Sequence, residues 1–147
     1  MIQYKCNLIK KGDKMKALSI KPNFADSIAC KLKTVEFRTW KTDYRGDILI
    51  CSSSSGRNCF VRGYAICVAN LKSIEVYERK KHFKQLYCDC SPSKPGYAWI
   101  LDNIRIIEPV PVKGKLHIYD VDIKIQYVNI TNEDELIEYW EGLNLIN

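Results

Sequence analysis

The sequence predicts an α+β fold that is mainly β, a mixed β-barrel with short peripheral helices. Segments rich in Ile, Val, Tyr and Trp recur along the chain and indicate strands. Most of these segments are joined by loops rather than by regular helices, which favours a barrel over a doubly wound parallel sheet. A chain of 147 residues that is 46% hydrophobic can bury its own core, so we expect residues 1–147 to form one domain.

The first half of the chain is predicted to hold strands around one short helix. Residues 17–20 form a short strand, and Pro22 opens a helix with Phe24 and Ile28 on one face. Alternation then predicts a strand over residues 34–38. Two further strands are expected over residues 47–51 and 61–71, separated by a serine-rich loop.

The second half is predicted to begin with a helix and to end with one. Ser73 is the expected cap of a polar helix that runs to about Leu86. Strands are expected over residues 97–107 and 115–130, with Pro109 and Pro111 breaking the chain between them. The last predicted helix is capped by Thr131 or Asn132 and ends at Gly142.

The charge of the chain is unevenly distributed. The net charge of +6 divides into +11 for residues 1–100 and −5 for residues 101–147. A basic body suggests an anionic partner such as nucleic acid, although a merely solvated surface explains the same charge.

The seven cysteines form an odd set without a C-x-x-C pair, which indicates reduced thiols. Cys88 and Cys90 lie near His82 and offer half of a zinc site, but no second ligand pair has matching spacing. We therefore predict no metal and no cofactor.

The sequence shows neither a signal peptide nor a membrane span. Residues 1–6 contain no apolar stretch of signal-peptide length, and no apolar run approaches the roughly 18 residues needed to span a bilayer. We therefore expect a cytoplasmic protein that does not contact membranes.

Residues 33–45 are the densest candidate for a functional site. Four cations alternate there with Trp40 and Tyr44, a mixture in which cations meet phosphates and aromatic faces stack on bases. Two alternatives stay open. The aromatic residues can anchor a loop, and Lys33, Glu36 and Arg38 can form an ion-pair ladder on a strand surface.

An ordered series of short motifs resembles the ASCH family over about residues 16–121. The motifs are LSIKP from Leu18, K-x-x-E-x-R from Lys33, YRG from Tyr44, YAWIL from Tyr97 and P-x-PVKGKL from Pro109. The resemblance implies a PUA-like fold, a small closed β-barrel with short helices at its openings. Residues 122–147 are then a C-terminal extension that contains the last predicted helix, residues 131–141, which is called the acidic helix below.

The resemblance also implies a cleft at the K-x-x-E-x-R segment that binds RNA or another single-stranded nucleic acid. We expect Arg38, Lys41 and Arg45 to hold phosphates, while Lys33 and Glu36 read base edges. The full set of expected nucleic-acid contacts is Lys21, Lys33, Glu36, Arg38, Trp40, Lys41, Arg45, Ser52 and Ser53.

The alternative is a hydrolase. Some ASCH relatives are amide hydrolases of acetylated cytidine and others are reported as ribonucleases, so a modified nucleoside or RNA cleaved without metal is the implied substrate. Lys33 would act as general base and Glu36 would position water or protonate the leaving group. The deacetylase relatives have Thr where this chain has Glu36, so their hydroxyl nucleophile is missing from this motif.

A third hypothesis concerns the acidic helix. It either docks on the basic face as a lid, binds a partner protein, or simply packs through Trp140. Under the first two hypotheses, the expected partner is RNA or a modified nucleoside or nucleotide.

Overall fold

A computed structural model describes residues 14–147. The N-terminal segment and Cys6, on which two of the expectations above depend, lie outside the described residues. The elements in chain order are β1 (Lys14–Ile20), α1 (Pro22–Ala29), β2 (Val35–Arg38), β3 (Gly46–Ser52), β4 (Tyr64–Val76), α2 (Arg79–Leu86), β5 (Tyr97–Pro111), β6 (Ile118–Asp122) and α3 (Glu133–Gly142).

The six strands form one sheet in the order β2-β5-β4-β3-β1-β6. The β1–β3 pair is parallel, and the four other pairs are antiparallel. The two longest strands, β4 and β5, are neighbours, and their register shifts at three places, which bends the ribbon. The mainly β, α+β class is therefore confirmed.

The closed barrel is not confirmed, because the sheet of the described residues is open. Its edge strands β2 and β6 pair with β5 and β1 respectively and not with each other. The strand β2 is only four residues long, and the residue before it contacts α2, because the Thr34 backbone N–H donates to the Gln85 carbonyl at 3.1 Å. A short edge strand offers few backbone groups for pairing with another strand.

Both faces of the sheet carry a core. On one face, α1 and α3 pack on a large cluster that contains Trp99 and Trp140, each fully buried. On the other face, residues 123–125 cover a second cluster around Leu49 and Ile107. Burying strands on both faces explains why residues 47–51 are a nearly unbroken apolar run.

Two predicted breaks are wrong. Ser73 does not cap a helix, because β4 continues to Val76 and Ser73 pairs with Ile100 of β5. The prolines do not break the chain either: β5 runs to Pro111, which pairs with Tyr64. Only β4 flanks β5 at this end. The side of each proline that lacks an N–H can therefore face away from β4, where no strand needs a donor.

The C-terminal region is partly as predicted. The strand expected over residues 115–130 is only β6, followed by an irregular segment whose apolar side chains Ile123, Ile125 and Val128 are buried. The final helix is confirmed, with Asn132 as the cap: its side chain accepts a hydrogen bond from the Glu135 backbone N–H at 2.9 Å. No helix of residues 14–147 is long and apolar enough to cross a membrane.

Candidate functional site

The K-x-x-E-x-R segment begins in the turn that leaves α1. Lys31 adopts a left-handed conformation with φ of 65°, which reverses the chain after the helix. The Lys33 backbone N–H then donates to the Ser27 carbonyl at 3.0 Å, so Lys33 begins the approach to β2 under the end of α1. In β2 the alternation holds as predicted, because Val35 and Phe37 share one hydrophobic cluster.

Glu36 lies between the two cations of the motif. Its Oε1 is 3.3 Å from Lys33 Nζ and its Oε2 is 3.0 Å from Arg38 Nη2. Lys33 is 2% exposed and Glu36 is 6% exposed. Lys33 and Glu36 are therefore buried, with Arg38 partly exposed beside them, and the alternative of a surface ion-pair ladder is excluded for Lys33 and Glu36.

Each cation is fixed by a further partner. Lys33 Nζ donates to the Leu86 carbonyl at 2.9 Å and lies 4.9 Å from the centre of the Phe24 ring. Arg38 Nη2 also donates to the Ser19 carbonyl at 3.0 Å. The network thus joins β2 to the end of α2, to α1 and to the end of β1.

A cleft of about 860 Å³ opens over this network, and we call it the motif cleft. Its volume is in the range of sites for small ligands or single groups of larger ones. The strand side is formed by Ser19, Glu36 and Arg38, and Lys33 lies at the same wall. Aromatic residues contribute much of the remaining wall, namely Phe24, Phe37, Phe60 and Tyr87.

A further part of the cleft wall was missed from the sequence. It is the segment after α2, which contributes Tyr87, Cys88, Asp89, Cys90, Pro92, Ser93 and Lys94. The available signal was the C-x-C pair next to a Ser/Pro loop, which suggested half of a zinc site. Among residues 14–147 no group of three His, Cys, Asp or Glu side chains could hold a metal ion.

Five of the nine expected nucleic-acid contacts line the motif cleft. They are Lys21, Lys33, Glu36, Arg38 and Ser53. The other four, Trp40, Lys41, Arg45 and Ser52, do not line it.

Trp40 supports the loop after β2. Its ring packs edge-on against Trp99 at 4.9 Å and against His117 at 4.8 Å, and its carbonyl accepts a hydrogen bond from Trp99 Nε1. Tyr44 is also an anchor, since its hydroxyl donates to the Asp47 carbonyl at 2.6 Å. The loop-anchor alternative therefore describes both aromatic residues.

The remaining residues outside the cleft have distinct surroundings. Lys41 is exposed with Nζ 5.6 Å from the Tyr97 ring centre. Arg45 is exposed and donates to the carbonyls of Thr42 and Tyr44. Ser52 is buried, and its hydroxyl donates to the Tyr64 carbonyl at 3.3 Å. This hydrogen bond links the end of β3 to the start of β4.

Burial shifts the titration of groups behind the cleft. It raises the pKa of Tyr119 to about 12, so this hydroxyl stays protonated next to Ser19 Oγ, 2.7 Å away. On α1, burial and the nearby Glu133 raise the pKa of Asp26 to about 6. Burial and Asp26 raise the pKa of Cys30 to about 12, which makes this thiol a poor nucleophile.

Comparison with known proteins gives the family. A family model described as the ASCH domain matches residues 18–147. The chain belongs to the ASCH family. The match includes residues 122–147, which lie beyond the motifs that carried the resemblance. Among curated proteins, none matches the chain.

Solved structures of an ASCH protein from Zymomonas mobilis share the fold. The structure titled ASCH aligns with a TM-score of 0.54 at 20% identity, over 67% of this chain and 73% of that chain. A Tyr-to-Phe variant gives 0.56 at 20% identity over 67% and 76% of the two chains. A Ser-to-Ala variant gives 0.60 at 16% identity over 88% and 95%. Likeness at these identities extends to the fold alone.

Proposed function

We propose that this ASCH-domain protein binds single-stranded RNA and takes one base into the motif cleft. The observation that carries the proposal is the position of Glu36, a carboxylate 6% exposed, held between Lys33 and Arg38 at the wall of an aromatic-lined cleft. RNA recognition targets bases that leave the stack and enter such pockets.

Glu36 argues for a base rather than a phosphate in the cleft. A carboxylate repels phosphate, whereas its oxygens accept hydrogen bonds from the N–H groups of base edges. Lys33 and Arg38 offset its charge at 3.3 and 3.0 Å, so an anionic ligand can still approach the cleft.

Arg38 has donors left for a ligand. Its Nη2 makes both contacts to Glu36 and Ser19, while its Nη1 makes none with the described residues. The side chain is 23% exposed and lines the motif cleft. A guanidinium with free N–H groups can bind a base carbonyl or a phosphate oxygen.

The walls and rim of the cleft offer partners for the face of a base and for the phosphates that flank it. Aromatic faces such as those of Phe60 and Tyr87 can stack on a base, an interaction worth roughly 1–3 kcal/mol in single-strand sites. At the rim, Lys21 and Lys94 are exposed cations that can approach flanking phosphates.

The test is a binding titration with a labelled RNA of about eight nucleotides, repeated across salt concentrations. We expect binding whose log K falls with log salt, and a loss of about tenfold or more in Arg38→Met. The control Lys72→Met removes one exposed cation outside the cleft and should lose much less. Absence of binding at low salt would overturn the proposal.

Hydrolysis of a nucleoside amide or of RNA is the second candidate. The favouring observation is the buried pair of Lys33 and Glu36 at the cleft wall, since paired acid and base groups are typical of catalytic sites. The contacts of Lys33 with Leu86 and Phe24 favour a positioning role for its ammonium instead.

Catalysis is tested by acetate release from acetylated cytidine and by cleavage of single-stranded RNA with a chelator present. The hydrolase hypothesis predicts turnover that is lost in Lys33→Ala and Glu36→Ala. No turnover, or turnover that is equal in both variants, would exclude these residues as catalytic groups.

A further inference from the structure

We propose that residues 113–117 form a second part of the RNA site and bind phosphates next to the nucleotide whose base occupies the motif cleft. These residues, KGKLH, are called the basic loop below. The inference rests on the proposed function and adds a contact surface outside the cleft.

Ser19 joins the basic loop to the motif cleft. It lines the cleft, and its carbonyl accepts a hydrogen bond from Arg38 Nη2 at 3.0 Å. On its other side it touches Gly114, where an added Cβ would lie 2.8 Å from Ser19 Oγ. The backbone of the loop therefore passes within contact distance of the residue that holds Arg38.

The loop is fixed at both ends. The Val112 backbone N–H donates to the Gly63 carbonyl at 3.1 Å. At the other end, β6 begins directly after the loop, and its Tyr119 hydroxyl is 2.7 Å from Ser19 Oγ. The His117 ring packs on Trp40 at 4.8 Å. A fixed loop presents its side chains with little loss of backbone entropy on binding.

The two lysine side chains of the basic loop are free to meet a ligand. Lys113 and Lys115 flank Gly114, are exposed, and form no ion pair with any residue in the range 14–147. Residues 109–119 contain no Asp or Glu to oppose an anion. Two unpaired ammonium groups next to a cleft for one base fit the phosphates of a continuing strand.

Lys41 is a further exposed cation, on the loop that follows β2. It is exposed above Tyr97, which pairs with Arg38 in the β2–β5 ladder. Through Trp40 and His117, the loop that carries Lys41 contacts the basic loop. Lys41, one of the three cations expected to hold phosphates, thus lies on a loop that contacts the basic loop, and it does not line the motif cleft.

The experiment compares Lys113→Gln/Lys115→Gln with Lys72→Gln/Lys124→Gln, a pair of exposed lysines outside the cleft with the same change in net charge. Both proteins are titrated with a mononucleotide and with a single-stranded RNA of about eight nucleotides across salt. For the longer RNA we expect the salt slope to become shallower by roughly 0.7 per lysine in the loop variant alone. Mononucleotide affinity should not change.

Equal slopes and affinities for the loop variant and its control would overturn the inference. If Arg38→Met loses RNA binding while the loop variant does not, the basic loop is wrong and the proposed function stands. If no RNA binds to the unaltered protein at low salt, the proposed function itself fails and the basic loop fails with it.

Discussion

Glu36 connects three elements through the cations that it contacts. Lys33 extends the connection to the last carbonyl of α2, and Arg38 extends it to the end of β1 at Ser19. A buried network of this kind is costly to break at one point, because the charges that remain lose their partner.

Glu36→Ala is therefore expected to lower the free energy of unfolding by about 2–4 kcal/mol, since Lys33 stays buried without its carboxylate. Denaturant titration measures the loss. Glu36→Gln keeps the volume and the acceptor oxygen and should lose less. A loss below about 0.5 kcal/mol in the alanine variant would show that the network is not a stabilising unit.

Asp26 gives a prediction about pH. Because burial raises its pKa from 3.8 to about 6, with Glu133 adding to the shift, ionising this carboxyl destabilises the fold. The penalty is absent at low pH, grows as the pH rises from about 4 to 6, and is complete above that range.

Asp26→Asn should accordingly raise the free energy of unfolding by about 1–2 kcal/mol at about pH 8 and leave it unchanged at about pH 4. Chemical denaturation at both pH values measures the difference from the unaltered protein. Exposed Asp43→Asn is the control and should show no such pH-dependent gain. A gain of equal size at both pH values would refute this explanation.

Among the elements, β2 is the one that carries the motif, and its place depends on a glycine in the segment before β5. At Gly96 an added Cβ would lie 2.4 Å from Phe37 Cζ and 2.7 Å from the Arg38 carbonyl oxygen. A Cβ atom does not approach non-bonded atoms this closely, so any larger residue at this position must displace the end of β2.

Gly96→Ala should lower the free energy of unfolding by about 1–3 kcal/mol and weaken RNA binding as well, because Arg38 moves with its strand. Gly142→Ala is the matched control, since nothing lies within 4 Å of its added Cβ. Thermal melts together with RNA titration test both. Normal stability and affinity in Gly96→Ala would contradict the close approach seen here.

Sequence patterns predicted which strands and helices form better than they predicted where each of them begins and ends. The order of strands and helices and the Asn132 cap are local properties, and they were predictable. The extension of β4 past Ser73 and of β5 to Pro111 depends on which edge of each strand is already paired. That is a property of the assembled sheet and leaves no mark in the local sequence.

At the scale of the whole molecule, α3 belongs to the core. Trp140 is fully buried and Leu136 is 2% exposed, both in the cluster that also contains α1. Of the hypotheses for the acidic helix, packing is the one that these contacts support.

Trp140→Ala should lower the free energy of unfolding by about 3–5 kcal/mol, as expected for a buried tryptophan. Denaturant titration measures it, and RNA affinity should not rise in the protein that remains folded. Deletion of residues 131–147 with tighter RNA binding and undiminished stability would instead identify α3 as a lid.

The candidate site was predictable only in part. Lys33, Glu36 and Arg38 were found because the K-x-x-E-x-R motif and strand alternation are visible in the sequence. The wall after α2 and the contact of Gly114 with Ser19 join residues far apart in the chain, so only the fold brings them together. Trp40 was misplaced for the same reason, because its packing partner Trp99 lies on β5.

The most direct test of RNA binding in the motif cleft uses its own cysteines. Cys90 is exposed on the cleft wall, while Cys59 is exposed outside the cleft. In a Cys88→Ser background, we would measure the maleimide labelling rate of each thiol with and without saturating RNA. We predict that RNA slows labelling of Cys90 several-fold and leaves Cys59 unchanged. Bound RNA that leaves the Cys90 rate unaltered would contradict the proposal that the base occupies this cleft.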